Sequence, residues 1–235
     1  MRDHGQRLPG ASEHGQHDRH GHAVGVEIPM FPLGTVLLPG EPLSLQIFEP
    51  RYVALVRDCL DGSREPEFGV VLIERGSEVG GGDVRTDVGV LAQITDVTEL
   101  PGDRFRLRCL GTERLRVQQW LPDDPYPRAE TSVWPDEPGA DDTALLDDLR
   151  ERASRLHDLT TRLALRSGIR HPPPSATLDQ LPTDPTTRSY TLTAALPISL
   201  TDRQTALTAP DPHTRLTHLS TALDDAIAMV EFRLQ

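Results

Sequence analysis

Residues 31–52 read FPLGTVLLPGEPLSLQIFEPRY. Pro32, Pro39, Pro42 and Pro50, with Gly34 and Gly40, cut the stretch into short apolar pieces. Proline presets φ and glycine tolerates positive φ, so this punctuation marks tight turns between strands. LSLQIF (43–48) alternates Leu43, Leu45 and Ile47 against Ser44, Gln46 and Phe48, the period of a strand. EPRYVALVRDCLDG (49–62) then changes period. Pro50 suits a first helical position, Val53, Val56 and Leu60 recur on one face, and Gly62 stands beyond the end.

The same grammar extends outward from there. EFGVVLI (67–73) is β-branched and nearly all apolar, as an inner strand would be. A glycine-rich loop, GSEVGGGD (76–83), leads into GVLAQITDVTEL (89–100). Because that loop leads into a strand and not a helix N-terminus, it is read as a connection and not a phosphate cradle. PGDRFRLRCLGTERLRVQQW (101–120) has a hairpin pattern. Phe105, Leu107 and Cys109 face one way and Arg104, Arg106 and Arg108 the other. Gly111 marks the turn, and Leu115 and Val117 resume the alternation against Arg114 and Arg116. Many short strands at close spacing predict an antiparallel barrel or sandwich over residues 26–135.

Beyond Pro135 the period becomes helical. Residues 136–143, opening DEPGADD, read as an acidic linker, and residues 144–235 as a helical subdomain. The first helix places Leu149, Ala153, Leu156, Leu159 and Leu163 on one face. A proline-rich loop follows. Asp184–Pro185 reads as an N-cap and first helical residue, TDRQ (201–204) as a capping box, and Asp211–Pro212 as a second Asp–Pro start. The last helix carries the stripe Leu216, Leu219, Leu223, Ala226 or Ile227, Val230 and Leu234. Residues 1–25 are polar and include His4, His14, His17, His20 and His22. They read as a disordered tail, with neither a secretory leader nor a physiological metal site.

Composition narrows the chemistry. The formal net charge is −12 over 235 residues, which argues against nucleic acid and against an anionic membrane surface. All 24 basic residues are arginine; lysine and asparagine are absent. A P-loop NTPase, a Ser–Lys hydrolase and a pyridoxal enzyme each need a lysine, so these classes are excluded. Cys59 and Cys109 read as buried free thiols. No nucleophile elbow, C-x-x-C or H-E-x-x-H motif is present, and His157, His171, His213 and His218 read as ordinary exposed histidines. No catalytic residue, cofactor or metal ligand is assigned.

IPMFPLGTVLLPGEPLSLQIFEPRYVALVRDCL (28–60) resembles the opening signature of the Lon N-terminal, or substrate-binding, domain. GVLAQI, the arginine-rich segment, DPYPRAE (124–130) and the helical blocks follow in the order expected of that family. The resemblance implies an α+β fold: an antiparallel PUA-like β pseudobarrel with one inserted helix, followed by a C-terminal helical bundle. It gives the motif residues structural roles. Pro32, Gly34, Pro39 and Gly40 would set turns; Phe31, Leu33, Leu45, Ile47 and Phe48 would fill the core. Glu49 and Arg51 would pair, with Tyr52 packing beneath. The ATPase and peptidase modules of Lon proteases have no counterpart in these residues, so the resemblance does not carry their activities.

The expected function is therefore non-catalytic recognition of polypeptide segments or a protein partner in the bacterial cytoplasm, as an adaptor in protein quality control. Arg104, Arg106, Arg108, Arg114 and Arg116 are the candidate partner surface, because arginine holds carboxylates bidentately. The alternatives are an unrecognised hydrolase using the cleft of the fold, or an RNA-binding protein.

Overall fold

The computed structural model describes residues 25–75, 84–138, 143–169 and 181–235. The His-rich tail, the 76–83 loop, the middle of the linker and most of the proline-rich loop, with His171, lie outside them. Six strands form one sheet: β1 (Val26–Leu33), β2 (Pro42–Ile47), β3 (Glu67–Arg75), β4 (Val84–Leu100), β5 (Arg104–Leu121) and β6 (Arg128–Val133). Their order is β2-β5-β4-β3-β1-β6, and β5 also pairs with β6, which closes five strands into a barrel and leaves β2 at a free edge. Closure is possible because β5 is long. Its first half pairs with β2 and its second half with β6. Neighbours are antiparallel except β1 and β3, which run parallel. Helix α1 (Pro50–Cys59) lies in the connection between those two strands, as a parallel pair requires a crossover.

Two apolar clusters lie on the two faces of this sheet. Ile28, Met30, Val71, Leu91, Leu115, Val117 and Ala129 come from all five closed strands and fill the barrel. The other face packs Phe31, Leu33, Phe68, Val70, Val90, Ile47 and Leu107 against α1 and the 36–38 segment. Tyr52 stacks on Phe31, with ring centroids 4.1 Å apart.

The helical part consists of α2 (Thr143–Arg166), α3 (Pro185–Ala195), α4 (Leu200–Thr208) and α5 (Pro212–Leu234). Both Asp–Pro starts form as the sequence predicts: Asp184 accepts from Thr187 N and Asp211 from Thr214 N. The predicted stripes of α2 and α5 build the bundle core. Tyr190 of α3 and Leu207 of α4 belong instead to the barrel-side cluster, so the helices are packed onto the β part.

Four sequence expectations change. The capping box of α4 is made by Ser199 with Asp202, two residues before the predicted Thr201 start, because the Leu196–Ile198 segment stays extended up to Ser199. Pro32 sits inside β1, not in a turn. There β1 has β3 on one side only, so the missing N–H leaves no ladder bond unmade. Gly111 is not a turn either; β5 runs through it. The turn lies earlier, at Gly102 and Asp103, both with positive φ. At Gly111 the chain before β2 crosses so closely that an added Cβ would lie 2.3 Å from Leu38 O. Finally, Phe48 is not core but 62% exposed, since it shares the parity of Ser44 and Gln46 on the outer face. Gly40 does form the expected turn, with φ of 82°.

Candidate functional site

Strand β5 determines where the five candidate arginines go. Phe105, Leu107 and Cys109 point into the core, and Arg104, Arg106 and Arg108 are exposed on the opposite face. Between Gly111 and Arg114 the register shifts: Ala92 faces Gly111 while Val90 faces Arg114, so three steps of β5 oppose two of β4. One extra residue in a strand reverses which side each later residue faces. Arg114 and Arg116 are thereby turned to the face that carries Val90 and Ala92, away from the first three arginines.

Arg114 is accordingly no part of a partner surface, being only 4% exposed. Its Nε donates to Trp134 O at 2.9 Å and its Nη1 to Leu207 O at 2.8 Å and to Ala209 O. Its Nη2 lies 2.9 Å from Asp136 Oδ1. The same carboxylate takes a two-point contact from Arg215, at 2.7 and 2.8 Å. Arg215, fully buried, also donates to Ala206 O, Ser189 Oγ and Tyr190 OH. Two cations thus share one carboxylate, and the C-terminal carbonyls of α4 supply further negative potential. Burial pulls the Arg114 guanidinium below the usual arginine range, with Tyr190 and Asp136 opposing it. Burial also pushes the Tyr190 hydroxyl up to about 12 against the pull of both arginines. This clasp joins barrel, linker and helices; it is architecture, and sequence reasoning missed Asp136 by reading it as linker. Arg116 remains exposed and stacks on Trp134, with the guanidinium carbon 3.7 Å from the ring centroid.

The exposed row is different. Arg106 stands across from Gln46 of β2 and Thr98 of β4, and Arg108 across from Ser44 and Asp96. Among the described residues neither arginine forms an ion pair or side-chain hydrogen bond. Arg104 Nε is held by Pro101 O at 2.9 Å. Phe48 projects at the end of β2 beside this row. Of the other motif residues, Arg51 pairs with Glu49 at 3.2 Å, and Tyr52 is buried. Pro39 and Gly40 make the turn before β2, and Gly34 lies in a bend after β1.

A groove of about 500 Å³ runs between Gly34, Leu72, Ile73 and Glu74 on the barrel side and Leu200, Thr201, Gln204, Thr205 and Thr208 of α4. Gln204 donates from Nε2 to Val88 O at 3.2 Å, while its buried Oε1 finds no partner among the described residues. Neither cysteine is poised for chemistry: burial pushes the Cys59 thiol up to about 12 and Cys109 to about 11.

Residues 27–225 match the family described as the ATP-dependent protease La (LON) substrate-binding domain. The chain belongs to this family. A solved Lon N-terminal domain protein from Xanthomonas campestris is 33% identical, covers 83% of this chain and 96% of its own, and superposes with a TM-score of 0.55. The N-terminal domain of Mycobacterium avium complex Lon protease shares the fold at 18% identity and a TM-score of 0.55, covering 85% of this chain and 99% of its own. Lon protease 2 of Herpetosiphon aurantiacus is 24% identical over 213 residues, and Lon protease of Anaeromyxobacter dehalogenans 28% over 156. Those alignments cover 89% and 62% of this chain but only 25% and 18% of the two proteases. The chain thus spans a quarter or less of the length of these two curated relatives. Among the described residues no helix is long and apolar enough to cross a membrane.

Proposed function

We propose that this LON substrate-binding domain protein is a non-catalytic module that captures segments of other polypeptides in the cytoplasm, serving as an adaptor in protein quality control. The observation that carries the reading is the row Arg104, Arg106 and Arg108 beside exposed Phe48. Guanidiniums without ion pairs among the described residues, as those of Arg106 and Arg108 are, suit a peptide surface beside an apolar anchor, where arginine and aromatic residues dominate contact energy. The chain has a net charge of −12, yet among the described residues Arg106 and Arg108 have no carboxylate partner. The absence of lysine removes Ser–Lys and Schiff-base chemistry, and burial keeps the Cys59 and Cys109 thiols from serving as nucleophiles.

The test is binding of a globular protein held unfolded by reduction and alkylation, compared with its native form. Selective retention of the unfolded chain, weakened by Arg106→Glu with Arg108→Glu, is the expected result. Equal indifference to both forms would count against recognition.

A further inference from the structure

Among the described residues the outer edge of β2 pairs with no strand, and its backbone is arranged to accept one. Gly111 N–H donates to Glu41 O at 2.9 Å, so the ladder to β5 is made by alternate residues from there: Leu43, Leu45 and Ile47. Pro42, Ser44 and Gln46 turn their backbone outward. Pro42, with no N–H to offer, limits the open edge to the segment after it. Proline on an edge is a familiar guard against indiscriminate pairing, and here it stops short of Ser44 and Gln46.

The side chains on the solvent face tell what would add there. A seventh strand would lie about 4.8 Å beyond β2 and about 9.6 Å from β5. Between them stand only the small Ser44 and the uncharged Gln46, directly across from Arg108 and Arg106. An arginine reaching over Ser44 and a glutamate reaching back span that gap. Asp96, opposite Arg108 on β4, lies on the far side and makes no ion pair with it among the described residues.

We propose that the β2 edge receives an extended, acidic polypeptide segment by strand addition, its outward carboxylates meeting Arg106 and Arg108 across Ser44 and Gln46. This rests on the polypeptide-recognition reading and specifies its mode and ligand. Backbone hydrogen bonds supply the affinity and the arginines select the charge. A second copy paired antiparallel through this edge would present only its own Pro42, Ser44 and Gln46 on that face, with no carboxylate for Arg106 and Arg108 to meet, so the charge pattern fits an acidic segment and not self-association.

The full chain is titrated, by fluorescence anisotropy, into a labelled peptide of alternating glutamate and valine. Comparison peptides are its lysine-for-glutamate counterpart and the glutamate peptide N-methylated at every second residue. The glutamate peptide binds and the lysine peptide does not. N-methylation, the Arg106→Glu/Arg108→Glu double variant and Ser44→Pro each weaken binding by about tenfold or more. Circular dichroism verifies that the variants fold; if Ser44→Pro does not, the N-methylated peptide makes the same test on the native chain. Equal binding of parent and N-methylated peptides overturns strand addition. Equal binding of glutamate and lysine peptides, or displacement of the peptide by a single-stranded RNA oligonucleotide from Arg106 and Arg108, overturns the acidic specificity. Capture of an unfolded protein without any binding of the glutamate peptide overturns this proposal and leaves polypeptide recognition standing. Failure of both probes overturns the two together.

Discussion

The guanidiniums of Arg114 and Arg215 close on the single carboxylate of Asp136, one from strand β5 and the other from helix α5. Removing a partner from a buried ion cluster leaves charge uncompensated, which costs about 3–5 kcal/mol. Asp136→Ala is therefore expected to lower the unfolding free energy by about that much, read from denaturant melts. Burial has a second consequence in the thiols. Cys59 rises from 9.0 to about 12 and Cys109 from 9.0 to about 11 in the folded protein. A group that holds its proton more tightly when folded contributes its stability below the unfolded value and loses it as pH climbs toward the folded one. The melting temperature should fall between pH 9 and 12, and the fall should be shallower in Cys59→Ala. The buried thiols were legible in the sequence; the role of Asp136 was not. Asp136 sits in an acid-rich stretch, and only the convergence of β5, α5 and the start of the linker gives it its role.

Strand β5 shows how far pattern reading extends at the next scale. Its alternation identifies the inward Phe105, Leu107 and Cys109 correctly, because period two needs no partner to be read. The bulge before Arg114 is invisible to that logic, since it is set by pairing with β4. Gly111 likewise looked like a turn, whereas it is glycine because the segment before β2 crosses it. Gly111→Ala must push Leu38 aside and should cost about 1–3 kcal/mol in a melt; an unchanged midpoint would refute the close crossing. The helix starts were readable from local chemistry, as both Asp–Pro pairs show. Loss of the cap in Asp211→Ala should cost about 1 kcal/mol, again read by denaturation. Phe48 escaped because its strand parity was known but the burial of its face was assigned from family resemblance.

For the whole molecule, barrel and helices share a core through Tyr190 and Leu207, and Arg203 of α4 grips Glu41 ahead of β2 at 2.7 and 2.9 Å. A single cooperative transition is expected in calorimetry of the described fold, and two separate transitions would contradict the shared core. The fold was legible because the 31–52 stretch concentrates its turn, strand and helix signals in one place. The proposed binding face was half legible: the arginine row could be seen, but not which members stay exposed, nor that β2 ends the described sheet beside them.

On the proposed reading, polypeptide segments dock on the arginine face at the β2 edge. Amide hydrogen exchange with the glutamate–valine peptide at saturation locates the contact without altering the protein. Slowed exchange concentrated at Ser44–Phe48 is the predicted result. Protection confined to the α4 groove around Thr201–Thr208, with β2 unchanged, would contradict it.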